Sequence, residues 1–117
     1  MAEETIFTKI INGVIPADII YQDERCVCIN DINPQAPTHV LVIPKKPIPR
    51  LVDAEEGDLA LLGHLMLSVG KITKQLGVQD AFRVVINNGE AAGQTVFHLH
   101  LHILANKTFS EESVSMH

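Results

Sequence analysis

The chain has 117 residues, a net charge of −5 and 46% hydrophobic residues. That length fits one domain, predicted to span residues 1–117 with its core at about 5–104. The acidic excess argues against nucleic-acid or anionic-membrane partners, because those surfaces need clustered Lys and Arg. No apolar run approaches the ~20 residues that span a bilayer, and the first residues do not resemble a signal peptide. We therefore expect a cytoplasmic protein, with nuclear access if its source is eukaryotic.

The first half of the chain predicts a short helix followed by strands. Thr5 is placed to cap the helix, and Gly13 closes it. Three segments then read as strands: residues 18–22, 25–30 and 39–44. Two prolines make residues 31–37 a loop, because proline fixes φ and lacks an N–H donor. Further prolines place a second loop after Pro44.

The second half predicts one long helix and two more strands. The helix is expected to begin at Asp53 and end at Gly77. Its apolar residues recur at spacings of three and four and form one buried stripe: Leu59, Leu62, Leu65, Met66, Val69, Ile72 and Leu76. The last strands are residues 81–86 and 96–104, and residues 105–117 form a polar, acidic tail that we expect to be mobile. Strands in runs with few helices indicate an α+β fold with a mainly antiparallel sheet of about five strands.

Residues 98–104 read HLHLHIL and are the feature most informative about chemistry. On a strand, this alternation puts His98, His100 and His102 on one face, ~7 Å apart, and the apolar residues on the other. His39 begins another predicted strand. The loop 87–94 leads into the histidine segment, and its glycines let backbone N–H groups approach an anion.

Three interpretations of these histidines compete on the residues alone. A neutral imidazole can attack phosphorus and form a phosphohistidine while a neighbouring imidazole assists the leaving group. Two histidines two apart on a strand could instead bind zinc, with His39 completing a histidine-only site. The third interpretation is a solvated sheet face without chemistry.

Several other side chains are expected to be bystanders. Cys26 and Cys28 lie two apart and are interpreted as reduced, half-buried strand residues without a metal or redox role. The histidines outside the cluster, His64 on the long helix and His117 in the tail, are expected to be solvated. A basic cluster at residues 45–50 is interpreted as a solvated loop.

At the level of motifs, the chain resembles the histidine triad (HIT) nucleotide-binding proteins. Residues 98–102 match their His-x-His-x-His signature, with each x apolar. Residues 31–39 (DINPQAPTH) and 42–46 (VIPKK) resemble the Hint branch, as do the opening helix at 5–11 and the segment 93–98 (GQTVFH). The resemblance covers roughly residues 5–104. It implies a homodimer whose two sheets join into one, and hydrolysis of purine nucleoside phosphoramidates such as AMP joined to an amine.

The resemblance also implies roles for individual residues. His100 would be the nucleophile, His102 would contact the phosphate and assist the amine, and His98 with His39 would form a supporting hydrogen-bonded pair. Asp31 would accept the ribose hydroxyls. Apolar side chains would line the base pocket: Ile6, Phe7, Ile10 and Ile32. Four residues would lie at the phosphate: Asn87, Gly93, Gln94 and Thr95. No cofactor or metal is implied, although zinc could bind adventitiously at the histidines.

Three departures from the Hint pattern bear on specificity. Thr95 stands where serine is usual, Ile29 replaces an aromatic residue of the base pocket, and residues 104–107 (LANK) replace the usual Gly-Gly. Two alternatives to the phosphoramidase therefore stay open: a dinucleoside polyphosphate hydrolase of a related HIT branch, and a nucleotide-binding regulatory protein with incidental turnover. The partners expected are a purine nucleotide (AMP or GMP), its phosphoramidates and a second copy of the chain.

Overall fold

The computed structural model describes residues 4–111 and contains two α-helices and five strands. The helices are α1, Ile6–Ile11, and α2, Leu59–Leu76. The strands are β1, Ile19–Gln22; β2, Cys26–Asn30; β3, Thr38–Pro44; β4, Phe82–Val85; and β5, Leu101–Ala105. Among residues 4–111, no helix combines the length and apolar character needed to cross a membrane.

The five strands form one sheet in the order β1-β2-β3-β5-β4, and every neighbouring pair is antiparallel. The central strands β2 and β3 read CVCIN and THVLVIP, and β-branched side chains suit a strand that is packed on both faces. The predicted α+β fold with a five-stranded antiparallel sheet is confirmed.

The two faces of the sheet bury different clusters. One face packs against α2 through residues that include Val40, Val42, Leu101 and Ile103. The other face packs against α1, where Leu41 and Ile43 of β3 meet Phe7 and Ile10. Because β3 is opposite β5 in register, with Leu41 facing His102, the histidine side of β5 lies on the α1 face. The sheet therefore separates the histidines from the α2 core.

Helix α1 forms as the sequence predicts. The Thr5 hydroxyl accepts hydrogen bonds from the N–H groups of Phe7 and Thr8, which satisfies donors that the first helical turn leaves open. Gly13 follows the helix with φ of +76°, a conformation that glycine adopts at little cost. This short helix carries Phe7 and Ile10 onto the sheet beside the histidines.

The start of the long helix was predicted wrongly. Residues 51–53 and 56–58 form separate 3₁₀ turns, and α2 begins only at Leu59. The carboxylate of Asp58 accepts the Glu55 N–H at 2.9 Å and pairs with Lys46, which holds Asp58 buried before the helix starts. The apolar stripe is also narrower than predicted, because Leu59 and Met66 are exposed.

The last strand is shorter than predicted at its start, because residues 96–100 lie outside the ladder. β3 pairs with β5 only as far as Val42 opposite Leu101. The Leu99 N–H instead donates to the Ile48 carbonyl at 2.6 Å, in the proline-containing loop after β3. The side chains of residues 98–103 still alternate, since Leu99 joins Leu101 and Ile103 in the α2 core.

The prediction that residues 105–117 form a mobile tail needs correction for its first residues. Ala105 belongs to β5, and the guanidinium of Arg83 donates to the Ser110 carbonyl at 2.6 Å and lies 4.6 Å from the Phe109 ring centroid. These contacts hold residues 109–110 to β4. Residues 112–117, including His117, lie outside the described part of the chain.

Candidate active site

A cavity of about 460 Å³ opens between α1, the histidine face of the sheet and the loop before β5. That volume lies within the 300–1,000 Å³ range usual for small-molecule sites. Most residues that sequence reasoning assigned to the site line it: Ile6, Phe7, Ile10, Asp31, Ile32, His39, Asn87, Gly93, Thr95, His100 and His102. Ile32 lies at its rim, since 96% of that residue is exposed.

His100 has a defined tautomer, and one of its ring nitrogens faces the cavity. Its Nδ1 lies 2.7 Å from the carbonyl oxygen of His98, and a carbonyl can only accept, so Nδ1 carries the proton. Nε2 of a neutral His100 therefore holds the lone pair. The edge-on ring of Phe7, with its centroid 5.0 Å away, limits the orientations that the imidazole can take.

His102 has the opposite tautomer to His100, because a chain of hydrogen bonds determines which of its ring nitrogens carries the proton. The Gln35 N–H donates to Nδ1 of His39 at 3.0 Å, so His39 carries its proton on Nε2. That Nε2–H donates to Nδ1 of His102 at 2.9 Å. A neutral His102 therefore has its own proton on Nε2. His100 and His102, with ring centroids 4.9 Å apart, offer a lone pair and an N–H side by side.

The pairing of the supporting histidines differs from the prediction. His39 is bonded to His102 and not to His98. Nε2 of His98 instead lies 2.6 Å from the Pro44 carbonyl, and its Nδ1 finds no hydrogen-bond partner among residues 4–111. The prediction failed because residues 98–100 leave the strand ladder, which turns the His98 ring toward the end of β3. His98 is fully buried and does not line the cavity.

The four clustered histidines favour their neutral form. Burial lowers the pKa of His39, His98 and His100, with partial opposition from a nearby carboxylate or carbonyl. Burial, reinforced by His100 and His39, lowers the pKa of His102 to about 4. All four imidazoles are therefore uncharged at neutral pH, which a nucleophilic nitrogen requires.

The loop before β5 is held rigidly, and Gln94 is the residue that holds it. The Gln94 amide donates to the carbonyls of Pro49 and Val96 and accepts from the Gly89 N–H, over distances of 2.7–3.0 Å. Gln94 is buried and does not line the cavity, so its predicted place at the phosphate is not seen in the structure. Gly93, with φ of +96°, does line it beside Asn87.

Some site features escaped sequence reasoning. The Gln35 N–H and the Pro44 carbonyl fix two imidazole rings, but both are backbone groups that any residue type supplies. Val96 and Leu41 add apolar wall to the cavity. The sequence could have indicated Leu41, because it lies two residues from His39 on the same face of β3.

One group of donor atoms in the cavity could hold a metal ion. Single donor atoms of Asp31, His39 and His102 lie within 4.8 Å of one another. A carboxylate and two imidazoles are suitable zinc ligands. A metal there would have to replace the His39–His102 hydrogen bond, so the metal and the tautomer arrangement exclude each other.

The remaining candidate residues lie on the α2 side of the sheet. Cys26 and Cys28 are free and fully buried, not half-buried, because β2 is a central strand packed against α2. Burial raises their thiol pKa values to about 11 and about 12. The prediction that His64 is a solvated bystander is wrong, since its Nε2 lies 2.8 Å from a carboxylate oxygen of Asp23.

The sequence profile of the HIT domain matches residues 12–109. The chain belongs to the HIT domain family. An uncharacterized HIT-like protein of Synechocystis is 59% identical over 110 residues, which cover 94% of this chain and 96% of the relative. A 14 kDa zinc-binding protein of Zea mays is 45% identical over 105 residues, covering 88% and 82% of the two chains.

Solved structures of HIT proteins share the fold along nearly the whole chain. A HIT family hydrolase from Legionella pneumophila has a TM-score of 0.90 at 35% identity and covers 94% of this chain and 99% of its own. A histidine triad protein from Clostridium difficile has a TM-score of 0.88 at 42% identity, with coverage of 95% and 98%. The chain thus has the fold of HIT family hydrolases and nucleotide-binding proteins.

Proposed function

We propose that this HIT protein hydrolyses purine nucleoside 5′-phosphoramidates through a covalent nucleotidyl-His100 intermediate. The observation that carries the proposal is the side-by-side placement of a lone pair on His100 and an N–H on His102 in one cavity. In-line displacement at phosphorus needs a nucleophile on one side and a proton donor for the departing group.

The cavity suits a nucleoside monophosphate. Ile6, Ile10 and Ile29 supply an apolar wall against which a purine can pack. The carboxylate of Asp31 lies in the same cavity and can accept hydrogen bonds from ribose hydroxyls. Asn87 and Gly93 line the same cavity as His100, and the Asn87 amide can offer N–H donors to a phosphate there.

The chemistry proceeds in two balanced displacements. Nε2 of His100 attacks phosphorus, the P–N bond to the amine breaks, and the leaving nitrogen takes a proton from Nε2 of His102. Water then attacks the nucleotidyl-His100, the bond from phosphorus to Nε2 breaks, and the water proton returns to His102. A neutral imidazole that gave up its Nε2 proton would be left as a high-energy anion. The anionic phosphate beside His102 raises the pKa of that imidazole, so His102 binds a proton together with the substrate and delivers its Nε2 proton as an imidazolium.

The test is turnover of an AMP-amine phosphoramidate by the wild type and by His100→Ala. We expect chelator-resistant hydrolysis that His100→Ala abolishes while AMP binding persists. Acid quenching during turnover should trap adenylate on the wild-type protein and none on His100→Ala. Persistent turnover by His100→Ala, or no turnover by the wild type, would refute the proposal.

The alternatives give different results in the same assays. A preference for diadenosine polyphosphate over the phosphoramidate would assign the protein to a polyphosphate-cleaving branch that uses the same nucleophile. Nucleotide binding without turnover would indicate a regulatory role. Loss of activity with chelator would indicate a metal at Asp31, His39 and His102, a possibility that the name of the Zea mays relative raises.

We further propose that two copies associate through the outer face of α2. Leu59, Met66 and Leu67 are 77%, 58% and 73% exposed there. Gly63 and Gly70 lie on the same face with open space above them, which would let a second helix approach closely. An exposed apolar face of this kind suits association of two copies, and β4 is an edge strand that the expected joining of two sheets would use. We also propose a cytoplasmic location, which rests on the sequence alone.

A further inference from the structure

A second cluster of reactive side chains lies on the α2 side of the sheet, away from the histidine cavity. Asp23 comes from the turn between β1 and β2, Cys26 from the first position of β2, and His64 from the second turn of α2. One donor atom of each lies within 4.8 Å of the other two. The cluster therefore brings an oxygen, a sulfur and a nitrogen donor together from three separate elements.

Four hydrogen bonds fix the orientation of the Asp23 carboxylate. Its Oδ1 accepts the N–H groups of Arg25 and Cys26 at 2.8 and 3.0 Å. Its Oδ2 faces His64 at 2.8 Å and accepts the Tyr21 hydroxyl at 3.1 Å. Carboxylates held by outer hydrogen bonds in this way are common among metal ligands, because the bonds fix the oxygen that coordinates.

The burial of the three residues is graded. Cys26 is fully buried, whereas the side chains of Asp23 and His64 remain 26% and 27% exposed. An ion could enter from the solvent side and reach the thiol at the inner end. The Cys26 sulfur has only a weak partner, the Ser68 hydroxyl at 3.9 Å, so coordination of the sulfur breaks no strong bond. The ion would have to replace the hydrogen bond between His64 and Asp23.

We propose that Asp23, Cys26 and His64 form a binding site for a thiophilic divalent cation of the zinc class. Tetrahedral zinc places its ligand atoms roughly 3.3–3.8 Å apart, so the present spacings require only small shifts. The set supplies three protein ligands, and water takes the fourth position. Thiolate and imidazole favour zinc or cobalt over magnesium or calcium, which prefer oxygen ligands.

Binding at this site has a simple proton balance. The sulfur–metal bond forms as the Cys26 thiol releases its proton to solvent. His64 moves its proton from Nε2 to Nδ1 so that Nε2 can coordinate. The ion then ties α2 to the β1–β2 turn and to β2. Because this face of the sheet is opposite the cavity, we expect metal binding here to be independent of turnover.

The first experiment is titration of metal-depleted protein with Co²⁺, whose thiolate complexes absorb in the near ultraviolet. We expect a sulfur-to-cobalt charge-transfer band that saturates at one equivalent and that added Zn²⁺ displaces. The band should be lost in Cys26→Ser and retained in Cys28→Ser. Cys28 is a matched control, because it is an equally buried thiol on the same strand and no part of the cluster.

The band separates this site from the histidine cavity, where the candidate ligands include no sulfur. His64→Gln keeps a polar side chain on a partly exposed helix position, and we expect it to weaken Co²⁺ binding in a folded protein. Zn²⁺ should raise the melting temperature of the wild type but not of His64→Gln. The proposal is wrong if the wild type shows no thiolate band, or if the band survives Cys26→Ser or disappears in Cys28→Ser.

Discussion

Nε2 of His39 lies 2.9 Å from Nδ1 of His102, a contact between residues 63 positions apart in the sequence. The contact joins the strand that precedes the proline loop to the histidine strand. The direction of this hydrogen bond is set by the Gln35 N–H, which donates to Nδ1 of His39 and so leaves the His39 proton on Nε2. The proton of a neutral His102 thus faces the cavity because of a backbone amide in a loop.

Removing this partner should impair chemistry more than binding. In His39→Ala, the tautomer of His102 is no longer set, so we expect kcat to fall about 10- to 100-fold, as is usual when a group that orients an active side chain is lost. The KM for the phosphoramidate should change little. Steady-state kinetics separate the two parameters.

The matched variant is His39→Gln, whose side-chain amide can still donate to His102 and should restore part of the kcat. A His39→Ala protein with unchanged kcat would show that the tautomer of His102 is irrelevant to turnover. A rise in KM alone would assign His39 to substrate binding instead.

His98→Ala should affect stability more than chemistry. The side chain is fully buried and donates to the Pro44 carbonyl, so its removal leaves a cavity and an unpaired acceptor. We expect a loss of about 3 kcal/mol in the free energy of unfolding, measured by urea denaturation. The carbonyl of residue 98 still accepts from His100, so kcat should fall less than in His39→Ala. A stable His98→Ala with abolished turnover would overturn this assignment.

Stability should decrease as the pH falls below about 6.5. The pKa of His102 is about 4 in the folded chain, against an ordinary value of 6.5. Between these values the unfolded chain binds the proton and the folded chain does not, so the folded state loses stability as the pH falls. His102 alone should cost on the order of 2 kcal/mol between pH 7 and pH 5.

Urea denaturation at the two pH values measures this loss, and His102→Gln provides the comparison. Gln does not titrate, so the variant should lose less stability over the same interval than the wild type. Equal losses in both proteins would show that His102 does not carry the pH dependence.

The association of two copies can be tested on α2. Leu67→Glu places a charge on the exposed apolar face and should convert the dimer to a monomer, which light scattering after size-exclusion chromatography detects. Val14→Glu is the matched control, because Val14 is 68% exposed outside α2. A wild-type monomer, or a dimer that survives Leu67→Glu, would exclude this face as the interface.

The sequence predicts correctly those features that a single residue type or a single repeating pattern of apolar residues determines. The alternation of residues 98–103 placed Leu99, Leu101 and Ile103 in the α2 core, and Thr5 capped α1 as expected. It failed where a long-range partner decides the outcome. The late start of α2 depends on the pairing of Asp58 with Lys46, and the partner of His39 depends on where the ladder between β3 and β5 ends. Neither contact leaves a local pattern.

The alternation around β5 also limits how this segment can change in length. Each residue from Leu99 to Ile103 belongs either to the hydrophobic core or to the histidine side of the sheet. A deletion or insertion of one residue just before Leu101 would exchange the two sets and place imidazoles in the core. Point substitutions can modify this strand one function at a time, whereas a change of a single residue in length would remove the fold and the chemistry together.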